Sequence, residues 1–281
     1  MAYVPDSLTR PSGGEEATPT PGTGILARLT ARAVIAPLAA VVVFVAFWEA
    51  LVWLNGWPDY VMAAPSDLPP AYAEYWTLFL VMGWQTLWRT VVGLVVAVIV
   101  GVGLGMVMGF SRTMRDALYP LLVGFNAIPK ATVVPIVALL FVGAHDFNTV
   151  LIAFMISFFP IAVSVSIGLS TLEPEYRDIL RSLGASQTTI FWKIALPKTL
   201  PEFFGALKVA VTLAFIGTNL MEIVSPHGRG LGALFDSAKT NSDYPLMFAV
   251  LIALAFLGIV LYYVVVALEK TFAGWAERAP Q

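Results

Sequence analysis

Long apolar runs alternate with short polar stretches along most of this chain. The runs cover about Ala33 to Leu54, Thr86 to Phe110, Leu118 to Val142, Thr149 to Leu169, Phe203 to Val224 and Pro245 to Leu268. Each is about 20 residues or longer, the length an α-helix needs to cross the hydrocarbon core of a bilayer. The pattern predicts six spans. The third is interrupted by Pro129 and Pro135 and either crosses as one bent helix or divides into two shorter ones. The stretch from Gly56 to Leu80 holds Pro58, Pro65, Pro69 and Pro70 and reads as a loop with a short helix near Tyr72. Trp53 and Trp57 belong at a membrane interface, where amphipathic rings settle. The other polar connections are Ser111 to Ala117, Gly143 to Asn148, Ser170 to Pro201 and Ser225 to Tyr244.

Composition supports the same picture. Apolar residues make up 58% of the chain and charged residues 12%, too few to cover the surface of a soluble domain of this length. The fold class expected is an all-α polytopic membrane protein. Residues 1–32 read as a disordered cytoplasmic tail, because Met1 to Gly24 is rich in Pro, Gly, Thr and Glu and holds no apolar core of a signal peptide. Residues 33–268 form the six-span domain, and 269–281 a second short cytoplasmic tail. The net charge of -2 suggests no nucleic-acid partner, and the absence of cysteine excludes disulfides and thiolate metal sites.

Lys and Arg set an orientation. Eleven of the sixteen lie in the tails, in 111–117 or in 170–201: Arg10, Arg28, Arg32, Arg112, Arg115, Arg177, Arg181, Lys193, Lys198, Lys270 and Arg278. The opposite loops hold Arg229 and Lys239. The bias places both termini and the 170–201 loop in the cytoplasm.

That loop carries the most informative polar pattern. Pro174 suits a first helical turn, Glu175 and Asp178 favour its dipole, and Gly184 supplies a left-handed stop. Ser186 then caps a second helix, Gln187 to about Ala195, which Pro197 and Pro201 keep from merging with the fifth span. Read physically, it is a rigid helix–turn–helix knob outside the bilayer. The bland alternative is an ordinary amphipathic surface loop.

The spacing of Asp178, Gly184, Ala185, Ser186, Ile194, Leu196 and Pro197 resembles the EAA signature of ATP-binding-cassette (ABC) importer permeases. One departure is visible: Ile179-Leu180 stands where the family has two alanines, so the docking face is bulkier. The likeness extends from roughly Arg89 to Trp275. Ile128-Pro129-Lys130 with Pro135, Phe159-Pro160, Leu196-Pro197 through Leu200-Pro201, Glu222 followed by Gly230-Leu231-Gly232, and Ala276-Glu277-Arg278 resemble the nitrate/sulfonate/taurine (NitT/TauT) subgroup of type I importers. The resemblance implies the MetI-like permease fold in a bacterial inner membrane and a permease dimer. It also implies a cytoplasmic ABC ATPase dimer that uses ATP and Mg, and an extracytoplasmic substrate-binding protein. No cofactor is then bound by this chain itself. The solute implied is small and polar, and anionic in much of the subgroup. The alternatives are a pyrimidine precursor or a riboflavin-like vitamin.

Ionisable and amide groups at bilayer depth are candidates for the translocation pathway. Lys130 lies about midway along the third span, with Asn126 one turn earlier. Lys130 is either a positive site for the solute or a structural lysine bonded to carbonyls that proline leaves free. Asn219 and Glu222, near the outer end of the fifth span, are either a gate or contact for the binding protein, or a helix end reaching water. Glu49 and Arg89 read as structural, and a pair between them is compatible with their placement. Gly101, Gly105 and Gly109 form a small-xxx-small stripe for close helix packing. His145 and His227 are isolated in external turns.

Two other functions compete with this one. A self-contained transporter needs inverted repeats or paired broken helices, and a broken pattern is visible in the third span alone. An intramembrane enzyme needs a nucleophile with a base, paired acids or metal ligands, and no such set is apparent in the apolar runs. The chain also has no P-loop sequence.

Overall fold

A computed structural model describes residues 23–170, 182–184, 186–225 and 228–275. The chain divides into two compact units, 1–55 and 56–281. The first contributes one helix, α1 (Thr23–Asn55). It starts ten residues before the apolar run does, so 23–32, expected as part of a disordered tail, are helical. Hydropathy marks where a helix becomes apolar, not where it begins, and Leu26 to Arg32 is made mostly of good helix formers.

Among the described residues the regular structure of the second unit is helical throughout. A single turn at Pro65–Asp67 leads into α2 (Leu68–Glu74), the short helix expected near Tyr72. Then follow α3 (Trp76–Phe110), α4 (Arg112–Ala127), α5 (Lys130–Leu140) and α6 (His145–Ser170). The chain continues through α7 (Gln187–Ile190), a π-helical turn at Phe191–Ala195, α8 (Leu196–Val224), α9 (Leu231–Thr240) and α10 (Tyr244–Ala273). The helical paths Ile35–Asn55, Trp76–Phe110, His145–Ser170, Trp192–Val224 and Tyr244–Ala273 are each long and apolar enough to cross a membrane, and α4 and α5, bent by 85° at their junction, are so when taken together.

α3, α6 and α8 make the centre. On α3 the buried positions Thr86, Thr90, Gly93, Ala97, Gly101, Gly105 and Met108 fall on one helical stripe. The stripe lies against α6 in constant register. A Cβ built on Gly93 would meet Ala153, and on Gly101, Gly105 and Gly109 it would meet Ile161, Val165 and Leu169. Rising numbers on both sides mean that α3 and α6 run parallel. The chain leaves the end of α3 and starts α6 at the opposite end, so α4 and α5 together recross the bundle. α8 runs antiparallel to both, with Thr90 against Thr218, and Glu202 below Ser164. α10 runs antiparallel to α8, and a Lys208–Glu269 ion pair at 2.8 Å joins them near one end.

Five expectations change. The second span begins at Trp76 rather than Thr86, because Trp76 to Gln85 is apolar enough to extend it. The third span breaks at Pro129 but not at Pro135. Ile128 and Pro129 take extended backbone (ψ 126° and 109°), as a residue before proline prefers, whereas Pro135 lies inside α5. That span also begins at Arg112, where Ser111 Oγ accepts the Met114 N–H at 3.3 Å. Pro197 does not stop the second loop helix. The π turn has already broken the regular ladder, so Pro197 sits in the first turn of α8, where its missing N–H costs nothing, and the path continues past Pro201 to Val224. Lastly, α9 lies in what reads as a loop. It follows Gly230, whose φ of +119° only glycine adopts easily.

Candidate functional site

At the end of the bundle carrying α7, Gly184 has φ +83°, the left-handed turn expected of it. Ser186 Oγ accepts the Thr189 N–H at 3.1 Å and so caps α7. Ile190 and Ala195 are buried, and Ile194, Leu200 and Phe203 pack on the central core. Leu183 and Trp192 stay exposed. The knob is thus anchored on one face and presents apolar side chains on the other. Leu196 and Pro197 are half-buried in the first turn of α8. Asp178, Ala185 and the first loop helix expected at Pro174 to Arg181 lie outside the described residues.

The α4–α5 break is organised by Lys130. Its ammonium donates to the carbonyls of Phe125 (2.8 Å), Asn126 (2.9 Å) and Ile128 (3.1 Å) and lies 5.1 Å from the Phe125 ring centroid. Ending α4 leaves its last carbonyls without helical donors, and an ammonium has three N–H groups to offer. Asn126 therefore meets Lys130 through its backbone oxygen.

The opposite end, carrying α9, holds a buried polar network. Glu222 is 1% exposed, so it does not reach water as a helix-end carboxylate would. Thr86 Oγ1 lies 2.8 Å from its Oε2 and itself accepts the Leu231 N–H at 2.8 Å. The Gly232 N–H donates to Oε2 at 3.0 Å, seating the carboxylate at the positive end of α9. Arg89, 2% exposed, donates from Nη1 to Glu222 Oε1 at 3.2 Å and to the Arg229 carbonyl. Its Nε and Nη2 reach Asp146 Oδ1 at 2.8 and 2.6 Å. Arg89 thus pairs with Glu222 and Asp146. The Gly230-Leu231-Gly232 sequence now has a physical reason. A Cβ at 230 would collide with the Glu222 carboxylate, and one at 232 would lie 2.8 Å from Glu222 Cβ. Asn219 donates to the Phe215 carbonyl at 2.7 Å, and its Oδ1 is buried without a partner.

Of the pathway candidates, the structure brings Asn126 and Lys130 together at the break. It places Glu222 and Asn219 one turn apart on α8 at the other site. Sequence reading missed Thr86 and Asp146. The available signal was Arg89 itself: a guanidinium inside an apolar helix requires an acid, and Asp146 and Glu222 are two of the acids the sequence offers at that end.

The family described as binding-protein-dependent transport system inner membrane component matches residues 97–274. The riboflavin transport system permease protein of Chloroflexus aurantiacus is 33% identical over 234 residues, 82% of this chain and 85% of that protein. The formylaminopyrimidine transport permease protein of Halalkalibacterium halodurans is 31% identical over 173 residues, 62% of this chain and 68% of that one. Among solved structures, the MetNI methionine ABC transporter in its inward facing conformations shares the fold. The TM-score is 0.59 at 18% identity, over 71% of this chain and 98% of the other.

Proposed function

Because this chain belongs to the family of binding-protein-dependent transport system inner membrane components, we propose that it is the membrane-spanning subunit of an ATP-driven importer. A small polar solute is handed to it by an external binding protein and passes between it and a second permease copy. A separate cytoplasmic ATPase dimer hydrolyses Mg-ATP. The α7 end faces the cytoplasm and the α9 end faces outward, in keeping with the Lys and Arg bias.

The observation that carries this reading is a continuous helical path from Gln187 through the π turn to Val224. At 1.5 Å per residue it is roughly 55 Å long, well beyond the ~30 Å of a bilayer core. One end is the capped, apolar-faced knob. The other carries Glu222 and its bonds to α3 and α9. Force applied to Gly184, Ser186, Ile194, Leu196 and Pro197 by a closing ATPase travels along a rigid rod to the opposite gate. Access then switches between two states according to which one the ATP-bound partner grips better.

The resemblance implied a small polar solute, anionic in much of the subgroup, and Lys130 was one candidate for a positive site on its path. The Lys130 ammonium is already held by three carbonyls, which supports the structural reading of that lysine; a nitrogen heterocycle stays the alternative solute. Relatives named for riboflavin and a formylaminopyrimidine support that alternative, and relatives named for taurine and nitrate support the anion.

The test is capture of partners. The tagged chain, purified in mild detergent, is expected to bring down a soluble P-loop ATPase identified by mass spectrometry. Gly184→Pro, which forbids φ +83°, is expected to abolish that capture and ATP-dependent uptake while membrane insertion persists. Normal uptake by Gly184→Pro, or uptake by the wild-type chain reconstituted alone, overturns the proposal.

A further inference from the structure

A groove of about 530 Å³ lies between the outer ends of α3 and α10, with α2 and α9 beside it. It follows α3 from Trp76 to Leu87, roughly 16 Å at 1.5 Å per residue. Phe79 and Leu231 in its lining are buried, whereas Trp84 and Phe256 are 65% and 68% exposed. The Tyr72 hydroxyl already donates to the Ala249 carbonyl at 2.7 Å, so the lining offers little beyond hydrocarbon and indole. A polar solute would lose its hydrogen bonds to water there and regain few. Spread over its length, the groove has a mean cross-section of roughly 33 Å². A helix, about 10 Å across, needs roughly 80 Å², so the shape suits hydrocarbon chains. Both α3 and α10 are long and apolar enough to cross a bilayer, which places the groove where lipid is the solvent.

Gly83 keeps the groove open. A Cβ there would meet only Leu231 Cδ1, at 3.9 Å, whereas one on Gly93, Gly101 or Gly105 would collide with α6. Glycine is the poorest helix former after proline, and at this position no close helix contact requires it. The mouth of the groove is acidic. Glu74 is exposed at the end of α2, and Asp243 caps α10 by accepting the Leu246 N–H at 3.1 Å. Both act on Tyr75, the residue before Trp76: the Glu74 carboxylate, then desolvation and the Asp243 carboxylate, hold its phenol above the usual range. The exposed cations of the neighbouring segment, Arg229 and Lys239, do not line the groove.

We propose that this groove is a lipid site, which takes an acyl chain of a phospholipid with a primary-ammonium headgroup from the leaflet at the α9 end. The ammonium lies against Glu74 and Asp243, and the chain along Trp76, Trp84 and Phe256. The inference needs only that α3 and α10 span a bilayer, so it stands or falls separately from the importer reading.

Trp76 and Trp84 line the groove and serve as reporters. The full chain is reconstituted in phosphatidylcholine vesicles, to which phosphatidylethanolamine or phosphatidylglycerol with brominated acyl chains is added in steps. The chain has eight tryptophans, so Trp76→Phe/Trp84→Phe supplies the background to subtract. The remaining quenching is expected to reach half its maximum at a roughly threefold lower mole fraction of phosphatidylethanolamine than of phosphatidylglycerol, the size of one exposed ion pair. Glu74→Gln/Asp243→Asn keeps both shapes and a capping oxygen on α10, and is expected to erase that preference. Gly83→Leu fills the groove from a position whose Cβ the backbone accepts, and is expected to bring both lipids to the same, higher half-point. Equal half-points on the unaltered chain, or a preference that survives the charge substitutions, overturns the site. Absence of any subtracted quenching also overturns it, and means that α1 or a second copy of the chain covers the groove.

Discussion

Arg89 and Glu222 show how a charge survives inside an apolar bundle. Each is almost fully buried, each makes charge-assisted hydrogen bonds, and their partners come from α3, α6, α8 and α9. Removing one member leaves the other charge buried and poorly compensated, which costs about 3–5 kcal/mol; removing both costs far less. Arg89→Leu is therefore expected to lower the unfolding free energy in mixed micelles by about that amount, and Arg89→Leu/Glu222→Leu by clearly less than the sum of the single changes. Strict additivity would show that the two do not act as a pair. At this scale the sequence marks the residues that matter but not their company. Arg89, Lys130 and Glu222 stand out as ionisable groups in apolar runs. Lys130 finds its partners within five residues, so carbonyl bonding was legible as one of its two readings. The partners of Arg89 are 57 and 133 positions away, and no local pattern reports them.

Among the elements, the glycine stripe of α3 is the clearest case in which sequence spacing dictates packing. Its four glycines allow α6 to approach so closely that a Cβ on Gly105 would lie 2.6 Å from Val165 Cβ and 2.8 Å from the Ala162 carbonyl. Gly103, two residues away, faces open space. Gly105→Ala is expected to force the helices apart at a cost of about 1–3 kcal/mol, read as a lower thermal midpoint. Gly103→Ala is expected to leave the midpoint unchanged or slightly raised, since alanine is the better helix former. Equal effects would mean that the stripe does not set the α3–α6 distance. The prolines are less legible. Pro129, Pro135, Pro197 and Pro201 look alike as helix breakers, yet of these only Pro129 breaks a path. Proline is costly where its N–H was needed. Whether it was needed at Pro197 depends on the π turn before it, which no propensity forecasts.

For the whole molecule, orientation is the property with the most direct test. The chain contains no cysteine, so single-cysteine variants carry no background. Lys239→Cys on α9 is expected to react with a membrane-impermeant maleimide in cells whose outer barrier alone is opened. Ser186→Cys at the α7 cap is expected to react only after the inner membrane is breached. The reverse pattern would invert the topology and remove the knob from the compartment that holds ATP. The amino-acid sequence by itself determined the number and rough extent of the membrane-crossing segments, the weak point in the third, the loop with its left-handed glycine, and the family. These follow from hydropathy, from proline and glycine stereochemistry, and from spacing along a single helix, all of which act over a few turns. Only the tertiary structure decided that α3 and α6 run parallel, that the helical path from α7 runs on through a π turn into α8, and that α9 closes over Glu222. Each of these is a relation between residues far apart in the chain, fixed by which surfaces exclude one another and which buried charges must meet.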